Sequence, residues 1–452
     1  MPTSGGSLTR RTLLARAAAL AAAPYVVASS ARGGDGAVPP SNRIALGFIG
    51  IGMMGQGHVR TCLSYPDAQV VAVCDVDRWR REHAQAAVEA AYADRRAAGT
   101  FRGCDAVTDL RDVLARPDID AVLIATGDRW HALATVLACE AGKDVYCEKP
   151  VALTVAETEA MVRAVGRYGR VFQTGLQQRT SAQFVKACAL VRAGAVGKVR
   201  AVYVGHDGVS ADVALPPEPV PEGLAWDLWL GPSPWRPFNS RYHIYGQPPR
   251  VVPWDFCRDF GGGSLTSNAV HALDVVQWGL GREGAGAGPV RIEPPATGRA
   301  PSLTYTYADG VTCQVTWRLE PGRHAVPPGW DPATRLQNFG ALFVGEAGWI
   351  HVGRAGFLEA HPASVLRGPV PGAEAGGGVP THHQNWFDCI RTRRRPASDV
   401  VTGCGATVLA HLGCIAHWTG RALEWDPVRH VFPGDAEASR WLGRALRPPW
   451  AL

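Results

Sequence analysis

Three glycines, an acid, a lysine and a histidine carry the chemistry legible in this chain. Gly50, Gly52 and Gly55 follow the apolar run Ile44–Ile49, and Asp75 closes the next apolar run, 20 residues beyond Gly55. A strand, a G-x-G-x-x-G turn, a helix and a second strand ending in an acid form a dinucleotide site. Gly50 serves the tight turn, Gly52 lets backbone approach a pyrophosphate, and Gly55 lets the helix lie on the strand. Ile51, Met53 and Met54 belong to the same turn, whose helix aims its positive end at the phosphates. Asp75 accepts from the adenosine ribose, and its charge repels a 2′-phosphate. NAD is therefore favoured over NADP, with Arg78, Arg80 and Arg81 pulling the other way.

A second set lies further on. Glu148-Lys149-Pro150 ends the strand-like run Asp144–Cys147, where ligands of such sheets bind. An ammonium there can orient a substrate hydroxyl and exchange its proton, although a lone lysine after a strand is also a common surface feature. Pro150 keeps Lys149 extended and permits a cis bond. The stretch from Gly261 to Asp274 reads as a glycine turn entering one amphipathic helix, with Ser267, His271 and Asp274 on one face. His271 is a candidate acid or base; the alternative is a histidine satisfied by Asp274.

These groups need a scaffold, and the hydrophobic pattern supplies one. Strand-like runs at 70–74, 121–126, 144–147 and 171–174 alternate with helical spans, which predicts a doubly wound parallel sheet. Later runs alternate in hairpins: 302–307 with 311–317 around Asp309-Gly310, and 341–344 with 349–352. The fold class is thus α/β, an N-terminal Rossmann domain over 43–175 and a C-terminal α/β domain over 176–452 with an open-faced, mostly antiparallel sheet. Two late helical spans, 384–391 and 404–420, pack outside or back against the first domain.

The bulk properties exclude several classes. At 452 residues with 46% hydrophobic and 19% charged content the chain reads as globular and two-domain. The formal charge is +6, and Arg10, Arg11 and Arg16 of a leader account for part of it, so nothing points to nucleic acid. Eleven cysteines with no C-x-x-C pair read as buried thiols, with no metal site. Thr9-Arg10-Arg11-Thr12-Leu13-Leu14 opens an apolar run interrupted by Arg16 and Pro24, which reads as a twin-arginine signal over 1–31, followed by a linker over 32–42. That route carries folded proteins, which suits an exported, periplasmic enzyme that captures its nucleotide in the cytoplasm.

The glycine fingerprint, Thr126-Gly127-Asp128-Arg129-Trp130-His131, Glu148-Lys149-Pro150 and the 261–274 stretch together resemble the Gfo/Idh/MocA oxidoreductases over nearly the whole mature chain. Asp227-Leu228-Trp229-Leu230-Gly231-Pro232 and Asn385-Trp386-Phe387-Asp388-Cys389-Ile390 resemble its exported branch. The resemblance implies a nicotinamide-dependent enzyme acting on sugars or cyclitols, a homodimer or homotetramer, with Lys149 and His271 as the catalytic pair. It places Thr126, Trp130, His131, Glu148, Gln177 and Gln178 at the cofactor. Arg179, Tyr242, His243, Trp254, Ser267, Asn268 and Asp274 fall at the substrate, although tryptophans of this region serve equally well as core. The chain departs from the family pattern at Ser267, where an Asp is common, at Ala269, and at Gly127 and Arg129. Two other readings stand beside a dehydrogenase: an enzyme that cleaves or epimerises a glycoside with NAD retained, and a non-catalytic sugar-binding protein.

Overall fold

In the computed structural model, residues 42–206, 208–249, 253–284, 286–295, 303–367 and 380–452 are described. The stretch expected to be a twin-arginine signal, 1–31, and most of the expected linker, 32–42, lie outside them. The first sheet contains β1 (Ile44–Ile49), β2 (Ala68–Cys74), β3 (Asp105–Val107), β4 (Ala121–Ile124), β5 (Asp144–Cys147) and β6 (Phe172–Thr174). All its neighbours pair parallel, in the order β3-β2-β1-β4-β5-β6. This is the doubly wound order whose switch point lies between β1 and β4. Strands buried on both faces read as continuous apolar runs, and β4 and β5 are buried at every residue.

Helices α1 (Met53–Leu63), α2 (Arg78–Ala91), α3 (Asp128–Glu140) and α4 (Val155–Tyr168) cover this sheet. A capping box starts α4: Thr154 accepts from the Glu157 N–H, and Glu157 accepts from the Thr154 N–H. After α5 (Ala182–Arg192), strand β7 (Val199–Val204) opens an eight-stranded sheet, completed by β8 (Arg291–Glu293), β9 (Leu303–Thr306), β10 (Thr312–Val315), β11 (Ala341–Gly345), β12 (Gly348–Val352), β13 (Leu358–His361) and β14 (Leu423–Glu424). Its order is β13-β12-β11-β7-β10-β9-β8-β14, and only β7 and β10 pair parallel.

Two late helices tie the sheets together. In α8 (His382–Thr392), Trp386 and Phe387 pack with Phe48, Leu123 and Tyr146 of the first sheet. The long helix α9 (Val400–Thr419) is long and apolar enough to cross a membrane, yet it is mostly buried. Val400 and Cys404 pack with the first sheet, while Leu409, Leu412 and Ile415 enter the core under the second. Of the two placements expected for the late spans, packing back against the first domain is the one found. All eleven cysteines are buried and unpaired.

The 261–274 stretch corrects the expectation of one helix. It forms α6 (Ser264–Ser267) and α7 (Ala269–Gly279), broken at Asn268 with φ −124° and ψ −52°. The His271 N–H turns to the Asn268 carbonyl at 3.2 Å, which leaves the Ser267 carbonyl to another donor.

Candidate active site

The glycines differ in what forbids a side chain. Gly50 sits at φ +91°, and a Cβ there would lie 2.7 Å from the backbone of Ala125 and Thr126. A Cβ on Gly55 would lie 2.0 Å from the Gly50 carbonyl oxygen, so this glycine sets the distance between α1 and β1. At Gly52 the fold forbids nothing: φ is −70°, and the nearest atom to an added Cβ is Arg80 Nη1 at 3.9 Å. Gly52 also caps α1 without a side-chain hydrogen bond, and the first turn holds no acid. Bare N–H groups at a positive helix end fit a pyrophosphate. Asp75 is 8% exposed; Oδ2 accepts from the Ile51 N–H at 2.6 Å and Oδ1 from the Asp77 N–H at 2.9 Å. Each oxygen keeps a lone pair for a ribose hydroxyl. Arg80 and Arg81 are engaged with the carbonyls of Gly246, Ile244 and Asp75.

A cleft of about 530 Å³ runs from this turn to Lys149 and His271. Lys149 follows β5 through a cis Lys149–Pro150 bond, and its Nζ donates to the Ser267 carbonyl at 2.5 Å. The break at Asn268 makes that carbonyl available. Lys149 and His271 thus meet in one cleft. Burial, and then the charges of Lys149 and Arg354, hold His271 well below the usual imidazole range, so it is neutral. Its neighbour Gln178 is 2% exposed. With the Gln178 amide oriented by its hydrogen bonds, its nitrogen donates to His271 Nδ1 at 2.8 Å. Its oxygen then accepts from Arg354 Nε and Nη2 at 3.1 and 3.2 Å.

Glu148 fixes the other side. It accepts from His58 Nε2 at 2.9 Å and from Gln177 Nε2 at 3.1 Å, and His58 Nδ1 meets His383 Nε2 at 2.9 Å. Burial alone would raise this carboxyl. The His58 hydrogen bond and the charge of Lys149 outweigh burial and hold it below the ordinary range.

Several expected site residues lie elsewhere or are spoken for. Arg179 and Asp274 do not line the cleft: they pair in the interior, Nη2 to Oδ1 at 2.7 Å, and Arg179 also reaches Glu283 at 2.5 Å. Asp274 therefore does not satisfy His271. His243 borders the cleft, yet Nδ1 accepts from Trp229 Nε1 at 3.0 Å and Nε2 meets Asp77 at 3.1 Å. His131 holds the Pro150 and Thr126 carbonyls, and Trp130 donates to the Leu228 carbonyl at 3.0 Å. Both are braces of the cleft wall. Tyr242, Trp254, Ser267, Asn268, Thr126 and Gln177 line the cleft. Gly127 and Arg129 act as one unit, since a Cβ at 127 would lie 2.3 Å from the Arg129 guanidinium, which stacks 3.6 Å over the Trp229 ring.

Sequence reasoning missed four residues here: Asp128, Asp255, Phe339 and Arg354 all line the cleft. Asp128 opens α3, and Asp255 lies just before the 261–263 glycine turn. Both carboxyls are almost fully buried; Asp128 Oδ2 has no hydrogen-bond partner, whereas the Ser267 hydroxyl faces the Asp255 carboxyl. Burial pushes both carboxyls up; the charge of Asp255 adds to the rise at Asp128 and Lys149 opposes it there, while at Asp255 the Ser267 hydroxyl opposes it first and Lys149 second. The only local signals were that Asp128 stands inside the 126–131 motif and that Asp255 follows Trp254 directly. Phe339 and Arg354 come from loops of the second sheet and had none.

Comparison with known proteins places this geometry. Residues 44–176 match the family model described as "Oxidoreductase family, NAD-binding Rossmann fold", and 199–320 with 378–452 match "Oxidoreductase family, C-terminal alpha/beta domain". The chain is 27% identical over 402 residues to inositol 2-dehydrogenase 4 of Saccharopolyspora erythraea, covering 84% of this chain and 95% of that one. Other curated relatives match over 157–174 residues, less than half of their own length. The fold is shared with the aldose-aldose oxidoreductase of Caulobacter crescentus complexed with glycerol (TM-score 0.55, 19% identity, 84% of this chain and 99% of that one). It is shared too with the WlbA dehydrogenase of Bordetella pertussis in complex with NADH and UDP-GlcNAcA (TM-score 0.56, 20% identity, 85% and 98%).

Proposed function

The chain belongs to the Gfo/Idh/MocA oxidoreductase family, and from that premise we propose that it is an NAD-dependent dehydrogenase interconverting a ring secondary alcohol and ketone on a sugar, sugar derivative or cyclitol. The observation that carries this reading is that Lys149 and His271 line one end of the glycine-turn cleft, with Lys149 held there on the Ser267 carbonyl, 118 positions away in the chain. Nicotinamide, when bound, supplies the hydride acceptor or donor. The chain's own groups hold the substrate: Lys149 and His271 address the reacting oxygen, and the unpartnered oxygen of Asp128 accepts from a neighbouring hydroxyl. A buried acceptor without a partner is costly, so a polyol that satisfies it is favoured over one that does not. NAD over NADP follows from Asp75; export through Arg10 and Arg11 and assembly as a dimer or tetramer complete the proposal.

The test is turnover by the purified protein across cyclitols and aldoses with NAD and NADP in parallel, read by NADH absorbance and by product analysis. Activity on a polyol, lowered about 10²- to 10⁴-fold in Lys149→Ala with NAD affinity unchanged, supports the reading. No redox change on any substrate refutes it, and hydrolysis or epimerisation without NADH release supports the retained-NAD alternative.

A further inference from the structure

The neighbours of His271 divide the work between it and Lys149. Arg354 lies on the turn between β12 and β13, with its guanidinium 3.7 Å from the centre of the Phe339 ring; that ring meets His271 edge-on at 5.5 Å. A guanidinium only donates. Two of its N–H groups on the Gln178 oxygen therefore fix which way the amide points, and the amide N–H must face His271 Nδ1. Nδ1 is then an acceptor. In a neutral imidazole the single proton is left on the other nitrogen, Nε2, which has no protein partner among the described residues.

We propose that Arg354, acting through Gln178, holds His271 with its proton on Nε2, so that the imidazole donates a hydrogen bond to the reacting oxygen while Lys149 carries the proton. The proposal rests on the dehydrogenase reading and assigns its roles. In ketone reduction, hydride adds to the carbonyl carbon, the C=O π pair moves to oxygen, and Lys149 Nζ gives that oxygen a proton and becomes a neutral amine. In oxidation the neutral amine takes the hydroxyl proton as the C–H pair leaves as hydride. His271 keeps its proton in both directions, because a neutral imidazole that lost it would become an imidazolate. A fixed neutral donor aimed at a developing oxyanion needs no reorganisation when the charge appears. Gln178 and Arg354 are positioning residues. The charged or titratable groups acting on His271 are Lys149 at the end of β5, Arg354, Glu148 and His382 of α8.

The experiment is nitrogen NMR on protein labelled with ¹⁵N-histidine, as purified and with NADH, with His271 assigned by its loss in His271→Gln. The expected result is a proton on Nε2. Gln178→Glu presents Nδ1 with a carboxylate that Arg354 can pair, and should move the proton to Nδ1; Arg354→Met, at an exposed position, should leave a mixture. His271→Gln, which retains an N–H donor, should keep at least about 10-fold more kcat than His271→Leu, since one such donor is worth roughly 10²–10³ in kcat. A proton on Nδ1 in the wild type, or equal kcat in His271→Gln and His271→Leu, overturns the proposal and leaves the dehydrogenase reading in place. Nε2–H in a protein that turns over no sugar or cyclitol overturns that reading and the donor role together.

Discussion

Gly52→Ala separates what the fold needs from what the cofactor needs. The backbone at Gly52 is in a region open to any residue, and an added methyl finds only Arg80 Nη1, at 3.9 Å. On the folded protein two small effects oppose. Alanine is a poorer N-cap than glycine by roughly 0.5–1 kcal/mol, and it restricts the unfolded chain by a similar roughly 0.4–1 kcal/mol. The net change stays within about 1 kcal/mol, a Tm shift of about 2 °C or less for a chain of this size. The same methyl projects into the space before the bare N–H groups of α1. A pyrophosphate pushed off two charge-assisted hydrogen bonds worth roughly 1.5–3 kcal/mol each loses at least about 2.7 kcal/mol, a 100-fold rise in Kd. Calorimetric titration with NAD, beside a thermal melt, reads both quantities. Gly57→Ala is the control: nothing lies within 4 Å of its Cβ, so it should keep NAD affinity and gain about 1 kcal/mol of helix stability. An NAD Kd within threefold of wild type in Gly52→Ala would refute the placement of the pyrophosphate, and a large fall in Tm would refute the claim that the fold leaves this space free.

Acid should destabilise the fold through its buried imidazoles. Burial pushes His382 down to about 4, and its neutral ring is satisfied by the Thr174 carbonyl at 2.8 Å and the Thr180 hydroxyl at 3.1 Å. The unfolded state, with a histidine near 6.5, then binds more protons, so stability rises with pH between about 4 and 6.5 and is lost as pH falls through that window. His382 alone accounts for on the order of 3 kcal/mol at pH 4. The raised carboxyls of Asp128 and Asp255 act in the opposite sense, so the quantity to measure is the difference in pH slope between wild type and His382→Asn by denaturant unfolding; identical slopes would sink the assignment. Export should depend on Arg10 and Arg11, and replacing both by Lys should leave the protein in the cytoplasmic fraction; unchanged secretion would show that another signal operates.

The sequence alone determined the features whose physics is local. A turn that needs glycine at positive φ, a helix packed so close that Gly55 has no room for Cβ, and an acid at the end of β2 lie within about 30 consecutive residues, so their spacing is legible directly. Period and strand-ending motifs did the same for the parallel sheet and for Lys149 after β5. One local reading failed. The apolar pattern through 264–280 is continuous, and the break at Asn268, which frees the Ser267 carbonyl for Lys149, depends on a glycine turn packed on residues 209 and 210. Charge pairing was beyond the sequence. Asp274 shares a helix with His271 yet pairs with Arg179, 95 positions away, because a buried carboxylate takes the cation that packing brings to it and not its neighbour in the chain. Likewise Arg354 reaches Gln178, and the carboxyls of Asp128 and Asp255 come near each other, only because distant parts of the chain pack together. Which nitrogen of His271 carries its proton is decided by a guanidinium from another sheet, since hydrogen-bond direction passes through contacts in space.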